Sequence, residues 1–175
     1  VFAAFREAID VAAEAGIPVT IENEVHSILQ HPAAVRAFFE RLGAGTRARF
    51  TWDVQNMWHA GVYPSLSVYE SLRPLINFVH LKGGMAGPGS PHVMVFRSGL
   101  ELATWPVREI VGRVIDDGVS PVICLNPSHG APRPGRDLPY DVVTREEALD
   151  DVRFMRANFP QIRADGPVAP RKATP

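Results

Sequence analysis

The chain has little of what several functional classes require. It holds one cysteine, Cys124, in 175 residues. No intrachain disulfide can form, and a reducing, cytoplasmic compartment is the expectation. It has almost no charge excess: 18 Lys and Arg stand against 19 Asp and Glu, for a formal net charge of −1. That speaks against the basic footprint of a nucleic-acid partner. No apolar run approaches the roughly 20 residues of a membrane span, so no membrane partner is expected. Neither Gly-x-Gly-x-x-Gly after a strand nor Gly-x-x-x-x-Gly-Lys-Ser/Thr occurs, which leaves phosphate binding by a nucleotide loop unsupported. The initiator Met is missing too. Val1-Phe-Ala-Ala-Phe5 begins inside a helical pattern, without the charged start and cleavage site of a signal peptide. It reads as the start of a chain that has lost its front part.

What is present is ordinary for a globular domain: 46% hydrophobic and 21% charged residues. The length allows one domain with a sizeable core. Residues 163–175 are Pro-rich and polar and read as a disordered tail. Residues 1–162 are then the folded part.

Along that part, helical and strand patterns alternate. Phe2, Phe5, Ile9, Ala12 and Ala13 fall at helical spacing, closed by Gly16. A strand, Pro18–Glu22, follows. His31-Pro32 opens a second helix with Val35, Phe38, Phe39 and Leu42 as its apolar stripe. A strand over Ala48–Asp53 leads into the long aromatic stretch Val54–Pro64, read as a loop. A helix near Ser65–Leu72 precedes the strand Ile76–Leu81. The stretch Lys82–Ser98 is rich in Gly and Pro and reads as a binding loop or lid. Trp105-Pro106 starts a helix with Val107, Ile110, Val111 and Val114 inward, ended by Gly118. The strand Pro121–Leu125 follows. Thr144-Arg-Glu-Glu147 is a capping box that opens the last helix.

Strict alternation of this kind implies right-handed βαβ units and a parallel sheet. An open doubly wound sheet and part of a (β/α)₈ barrel both fit. The barrel explains one feature more: all four strands end in a group with lone pairs or donors, namely Glu22, Asp53, His80 and Asn126. In a barrel the functional groups sit at the C-terminal ends of several strands. A full barrel needs roughly 250 residues, so the chain supplies about half of one.

A Glu, an Asp and a His, with positions left open for water or substrate, suit a divalent Mn, Mg, Co or Zn ion. Each of the three alone reads equally as a polar strand end. Their spacings, about one βα unit apart, place them side by side at one barrel mouth. Lys82 reads as a group that neutralises a phosphate or carboxylate, or as one that only faces solvent. Trp52, Trp58 and Trp105 read as packing residues before sugar-stacking ones, and Cys124 as an inert strand residue.

These motifs together resemble the sugar phosphate isomerase/epimerase superfamily, the xylose isomerase-like barrels. Ile21-Glu22-Asn23 resembles the fifth-strand motif whose Glu binds metal. Asp53-Val-Gln-Asn56, followed by Gly61 and Pro64, resembles the sixth-strand pattern. Val79-His80-Leu81-Lys82 resembles the seventh, and Leu102–Val107 the stretch before the next helix. The resemblance implies the C-terminal half of a (β/α)₈ TIM barrel, strands five to eight, over residues 1–162. It implies a divalent metal held by Glu22, Asp53, His80 and the residue at 126, where the family's final Glu is Asn126. It also implies Glu22 as the acid/base that moves a proton next to a carbonyl. Asn56, Lys82 and His129 become contacts for a small sugar or sugar phosphate. The implied activity is metal-dependent isomerisation or epimerisation by the full-length protein. A related metal-dependent hydrolase or endonuclease-like barrel would need Asp-x-x-His and Asp-x-His clusters that are absent. A non-catalytic degenerate barrel is the other alternative, suggested by Asn126. An open barrel seam would leave unpaired strand edges and an apolar patch, which favours association, as in a homo-oligomer, or instability.

Overall fold

In the computed structural model, residues 2–96, 99–127 and 143–162 are described. Helix α1 (Phe2–Glu14) leads to strand β1 (Thr20–Glu22), α2 (Pro32–Leu42), β2 (Arg49–Asp53), α3 (Val54–His59), α4 (Leu66–Leu72) and β3 (Ile76–Leu81). Then come β4 (Met85–Gly87), β5 (Ser90–Phe96), a 3₁₀ turn (Leu100–Leu102), α5 (Val107–Asp117), β6 (Ile123–Leu125) and α6 (Arg145–Asn158). The four strands β1, β2, β3 and β6 form one sheet in that spatial order, and each neighbouring pair is parallel. This is the order and sense the alternation predicts. Among the described residues, β1 and β6 are the sheet's two edges.

The helix ends follow their local chemistry. His31 caps α2 by accepting from the Ala34 N–H, with Pro32 at the first helical position. Ser65 caps α4 in the same way from Val68. The Thr144–Glu147 capping box is formed in full at α6. Gly118 takes the left-handed conformation after α5, which the αL cap of a helix end favours in glycine.

One face of the sheet is apolar and covered. Phe50, Trp52, Val79 and Leu81 are buried there, in one cluster with Val35, Phe38 and Phe39 of α2, Tyr69 and Leu72 of α4, and Ile110, Val111 and Val114 of α5. All three tryptophans are buried, which gives them packing roles. Because side chains alternate along a strand, the opposite face collects Thr20, Glu22, Thr51, Asp53, Phe78, His80 and Cys124. The amphipathic period thus sends most of the apolar set to the helices and the chemistry, with Phe78 beside it, to the other side.

Two stretches differ from their sequence reading. Val54–Pro64 is not all loop: α3 starts directly after Asp53 and runs to His59. Lys82–Ser98 is not all loop either, since β4 and β5 form an antiparallel hairpin. Gly87 pairs with Ser90, so the turn is Pro88-Gly89, and Gly89 has φ +85°. Pro then Gly with positive φ is the pattern of a type II turn. The strands are also shorter than expected, with β1 and β6 of three residues each. Residues 163–175, read as a tail, lie outside the described residues.

Candidate metal centre

Asp53 is the centre of the site and is fully buried. It is the last residue of β2 and the N-cap of α3, where its Oδ1 accepts from the Asn56 N–H at 2.9 Å. Asn23, the residue after β1, holds the strand ends together. Its amide donates to the Asp53 carbonyl at 2.9 Å, and its Oδ1 accepts from the Asp53 N–H at 2.8 Å. The second carboxylate oxygen, Oδ2, has no aligned hydrogen-bond donor. Its neighbours are the Lys82 ammonium at 2.6 Å and His80 Nδ1 at 3.8 Å. The Lys82 contact is therefore an ion pair rather than a well-directed hydrogen bond. Lys82 compensates the charge of this oxygen, which also faces His80, so a metal cation entering here would share it with the ammonium.

Glu22 and His80 flank it. Glu22 Oε1 lies 2.8 Å from His80 Nδ1, and the two side chains are 38% and 17% exposed. The ligand atoms of Glu22, Asp53 and His80 all fall within 4.8 Å of one another. One Glu, one Asp and one His in that space fit a divalent cation that takes oxygen and imidazole ligands. Phe78 packs its ring edge-on to His80 at 5.4 Å, which limits the imidazole's rotation. Asn126 follows β6, and its Nδ2 is 3.4 Å from His80 Nδ1. It reaches the same space with an amide and no charge.

A polar chain runs outward from Asp53. Lys82 Nζ donates to Asn56 Oδ1 at 3.2 Å, and the Asn56 amide donates to the Asn23 carbonyl and to Glu24 Oε2, both at 3.1 Å. Lys82 is 7% exposed, so its charge is held by Asp53 and Asn56 rather than by water. Cys124 pairs with His80 in the sheet. Burial pushes its thiol pKa up, Glu22 and Asp53 push it further, and Lys82 opposes them. It is thus a poor nucleophile, in keeping with its inert reading.

Of the residues singled out from sequence, the structure brings together Glu22, Asp53, His80, Asn126, Asn56 and Lys82. His129 lies outside the described residues. Sequence reasoning assigned no role to Asn23, Glu24 or Gln55. Asn23 stands inside the Ile-Glu-Asn motif, which was the available signal. Gln55 donates to the Gly83 carbonyl, tying α3 to the chain after Lys82. Nothing in its sequence position marks that contact.

No family model matches the sequence, and no curated protein matches it. Solved structures do match in fold. A xylose isomerase-like TIM barrel protein from Mycobacterium smegmatis, in complex with magnesium, aligns over 88% of this chain and 47% of its own, at 16% identity and a TM-score of 0.61. A D-tagatose 3-epimerase-like protein aligns over 91% and 53%, at 12% identity and a TM-score of 0.61. The probable 3-DHS dehydratase AsbF from Bacillus anthracis aligns over 71% and 48%, at 17% identity and a TM-score of 0.56. The chain spans about half the length of each. Its four parallel βα units therefore have the fold of part of a (β/α)₈ TIM barrel.

Proposed function

We propose that this chain carries the metal-binding end of a metal-dependent isomerase or epimerase acting on an open-chain sugar, sugar phosphate or related polyhydroxy compound. The observation that carries this reading is the convergence of the ligand atoms of Glu22, Asp53 and His80 within 4.8 Å of one another. A divalent cation held there supplies Lewis-acid polarisation of a carbonyl or hydroxyl oxygen.

The chain's own groups do the rest. Asp53 is immobilised by its cap and by Asn23, so a ligand position is fixed before anything binds. His80 is held by Glu22 and Phe78. Glu22 is the more exposed of the two carboxylates and is the group placed to take a proton from a carbon beside a carbonyl. Asn126 cannot exchange protons, so one carboxylate removes and returns the proton. That arrangement favours isomerisation, in which the proton comes back on the same side. Asn56 and Lys82, buried beside Asp53, are the groups we assign to contact with the substrate. The single cysteine fits a reducing, cytoplasmic setting. Among the described residues the edges at β1 and β6 are unpaired, which fits association with further barrel strands, as in an oligomer. Among the described residues no helix is long and apolar enough to cross a membrane.

Asn126 also supports a second reading, a metal-binding barrel without catalysis. Titration calorimetry with Mn²⁺, paired with an aldose–ketose isomerisation assay, separates these. Wild type binding Mn²⁺ and the Asp53→Asn and Glu22→Gln variants binding it at least tenfold more weakly is the expected result. Equal affinity in all three removes the basis for a metal centre. Metal binding without turnover favours the second reading.

A further inference from the structure

We propose that the Glu22–Asp53–His80 centre, once it holds a divalent cation, takes a small carboxylate-bearing substrate, and that the Lys82 ammonium receives the carboxylate. This rests on the metal-dependent reading above and narrows its substrates from polyhydroxy compounds in general to their acids.

Charge is the first argument. Glu22 and Asp53 are anionic and Lys82 is cationic, while a metal-ligating imidazole is neutral. The group therefore carries one negative charge, and a divalent cation turns it into one positive charge. Position 126 brings only an amide to this space. Glu24 is the next carboxylate outward, but it is exposed and reaches the group through the Asn56 amide, so water screens it. Asp53 and Lys82 are buried while Glu22 is 38% exposed, so water screens part of this charge and a monoanionic ligand cancels the rest.

The donors of Lys82 are the second argument. An ammonium has three N–H donors. Asp53 Oδ2 and Asn56 Oδ1 are its two protein partners. When Asp53 Oδ2 turns to a divalent cation, its hold on Lys82 weakens. The ammonium is then left with one firm acceptor at 7% exposure. A ligand oxygen is the missing acceptor.

Charge separates the two anions. A phosphate ester carries close to two charges and three strong acceptor oxygens at neutral pH. The single charge and spare donor of the Lys82 ammonium match a carboxylate better.

The test uses Mn²⁺ first and then three probes on the Mn²⁺-loaded protein: glycolate, its neutral analogue glycolamide, and methyl phosphate. Wild type and Lys82→Gln are both purified in Mn²⁺, which replaces the ammonium as counter-charge to Asp53. We expect Lys82→Gln to bind Mn²⁺ at least as tightly as wild type but glycolate at least tenfold more weakly, with glycolamide binding unchanged. In wild type alone, the preference for glycolate over glycolamide should exceed that of aqueous Mn²⁺ by at least tenfold. That second readout holds even where the variant fails to fold. Equal glycolate affinity in the two proteins, or a preference no larger than that of aqueous Mn²⁺, overturns the proposal and leaves the metal centre standing. Tighter binding of methyl phosphate than of glycolate overturns the choice of a carboxylate. Absence of Mn²⁺ binding by wild type overturns the metal reading and this one with it.

Discussion

Glu22 and His80 touch at 2.8 Å although the strands that carry them are separated by β2. The intervening strand contributes Asp53, in register with His80 and one alternation beyond Thr51, the residue opposite Glu22. The two outer side chains therefore close over the middle one. A contact between first and third strands needs a curved sheet whose ends lean together, which a barrel segment provides.

Asp53 has two structural duties besides any metal role, and two substitutions separate them. Asp53→Ala removes the α3 cap, worth about 1 kcal/mol, and strands the buried Lys82 charge, worth about 3–5 kcal/mol. Asp53→Asn keeps a capping oxygen and loses only the charge. Urea denaturation of the metal-free protein should find both variants destabilised, with Asp53→Asn the milder by about 1 kcal/mol. Identical midpoints for the two would show that the cap contributes nothing.

Much of this arrangement was legible in the sequence, and the exceptions have physical causes. Parallel strands with one apolar face against helices read as short apolar runs, and the polar residue ending each run was visible at Glu22, Asp53, His80 and Asn126. Helix α3 was not visible. Val54, Gln55, Asn56, Met57 and Trp58 are all buried, so no polar face alternates with an apolar one, and no turn residue separates the helix from β2. The β4–β5 hairpin was hidden by its own Gly and Pro content, although the Pro88-Gly89 pair that suggested a loop is the turn that makes it a hairpin. The Lys82–Asp53 ion pair was out of reach for another reason. It depends on strand register, which sequence spacing does not determine.

Asp151 should make stability depend on pH. It is buried in α6, and its Oδ1 accepts from the Leu100 N–H at 2.7 Å. Burial raises its pKa, the Leu100 hydrogen bond opposes that, and Asp150 and Glu147 raise it further. A carboxyl whose folded-state pKa is raised binds its proton more tightly when folded. Its stabilisation is complete below the ordinary aspartate value near 3.8 and is lost as pH rises through the raised folded value. Asp151→Asn keeps an acceptor for Leu100 and cannot ionise. Thermal melts should show the variant gaining on wild type as pH rises above about 4, until the folded-state carboxyl has ionised. A constant difference across that range would rule out ionisation of Asp151 as the cause.

Gly84 should resist any side chain. A Cβ placed there would sit 2.9 Å from Trp58 Cζ3, 3.0 Å from Met94 Sδ and 3.1 Å from Gln55 Nε2. Trp58 is also pinned, since its indole N–H donates to the Pro91 carbonyl of the hairpin at 2.7 Å. Gly84→Ala should therefore cost about 1–3 kcal/mol by overpacking. The strain should loosen the hairpin against α3, read as faster amide exchange in β5. Wild-type stability in the alanine variant would mean that Trp58 has room to move.

Asn126→Glu tests whether position 126 belongs to the metal centre. The Asn126 amide is 3.4 Å from His80 Nδ1, so a carboxylate placed there enters the same space as Glu22 and Asp53. Without metal, a third anion repels the first two, and the variant should be less stable than wild type. With metal, the same charge becomes a ligand, and affinity should rise at least tenfold, about 1.4 kcal/mol. The sign of the change thus reverses between the metal-free and metal-loaded protein. Melting curves with and without Mn²⁺ measure both halves on one sample: the variant should melt lower than wild type in chelator and higher in saturating Mn²⁺. The added carboxylate also supplies the second acid/base that Asn126 lacks, so any epimerase turnover should appear or rise in the variant. A variant that melts below wild type under both conditions would place position 126 outside the reach of the cation.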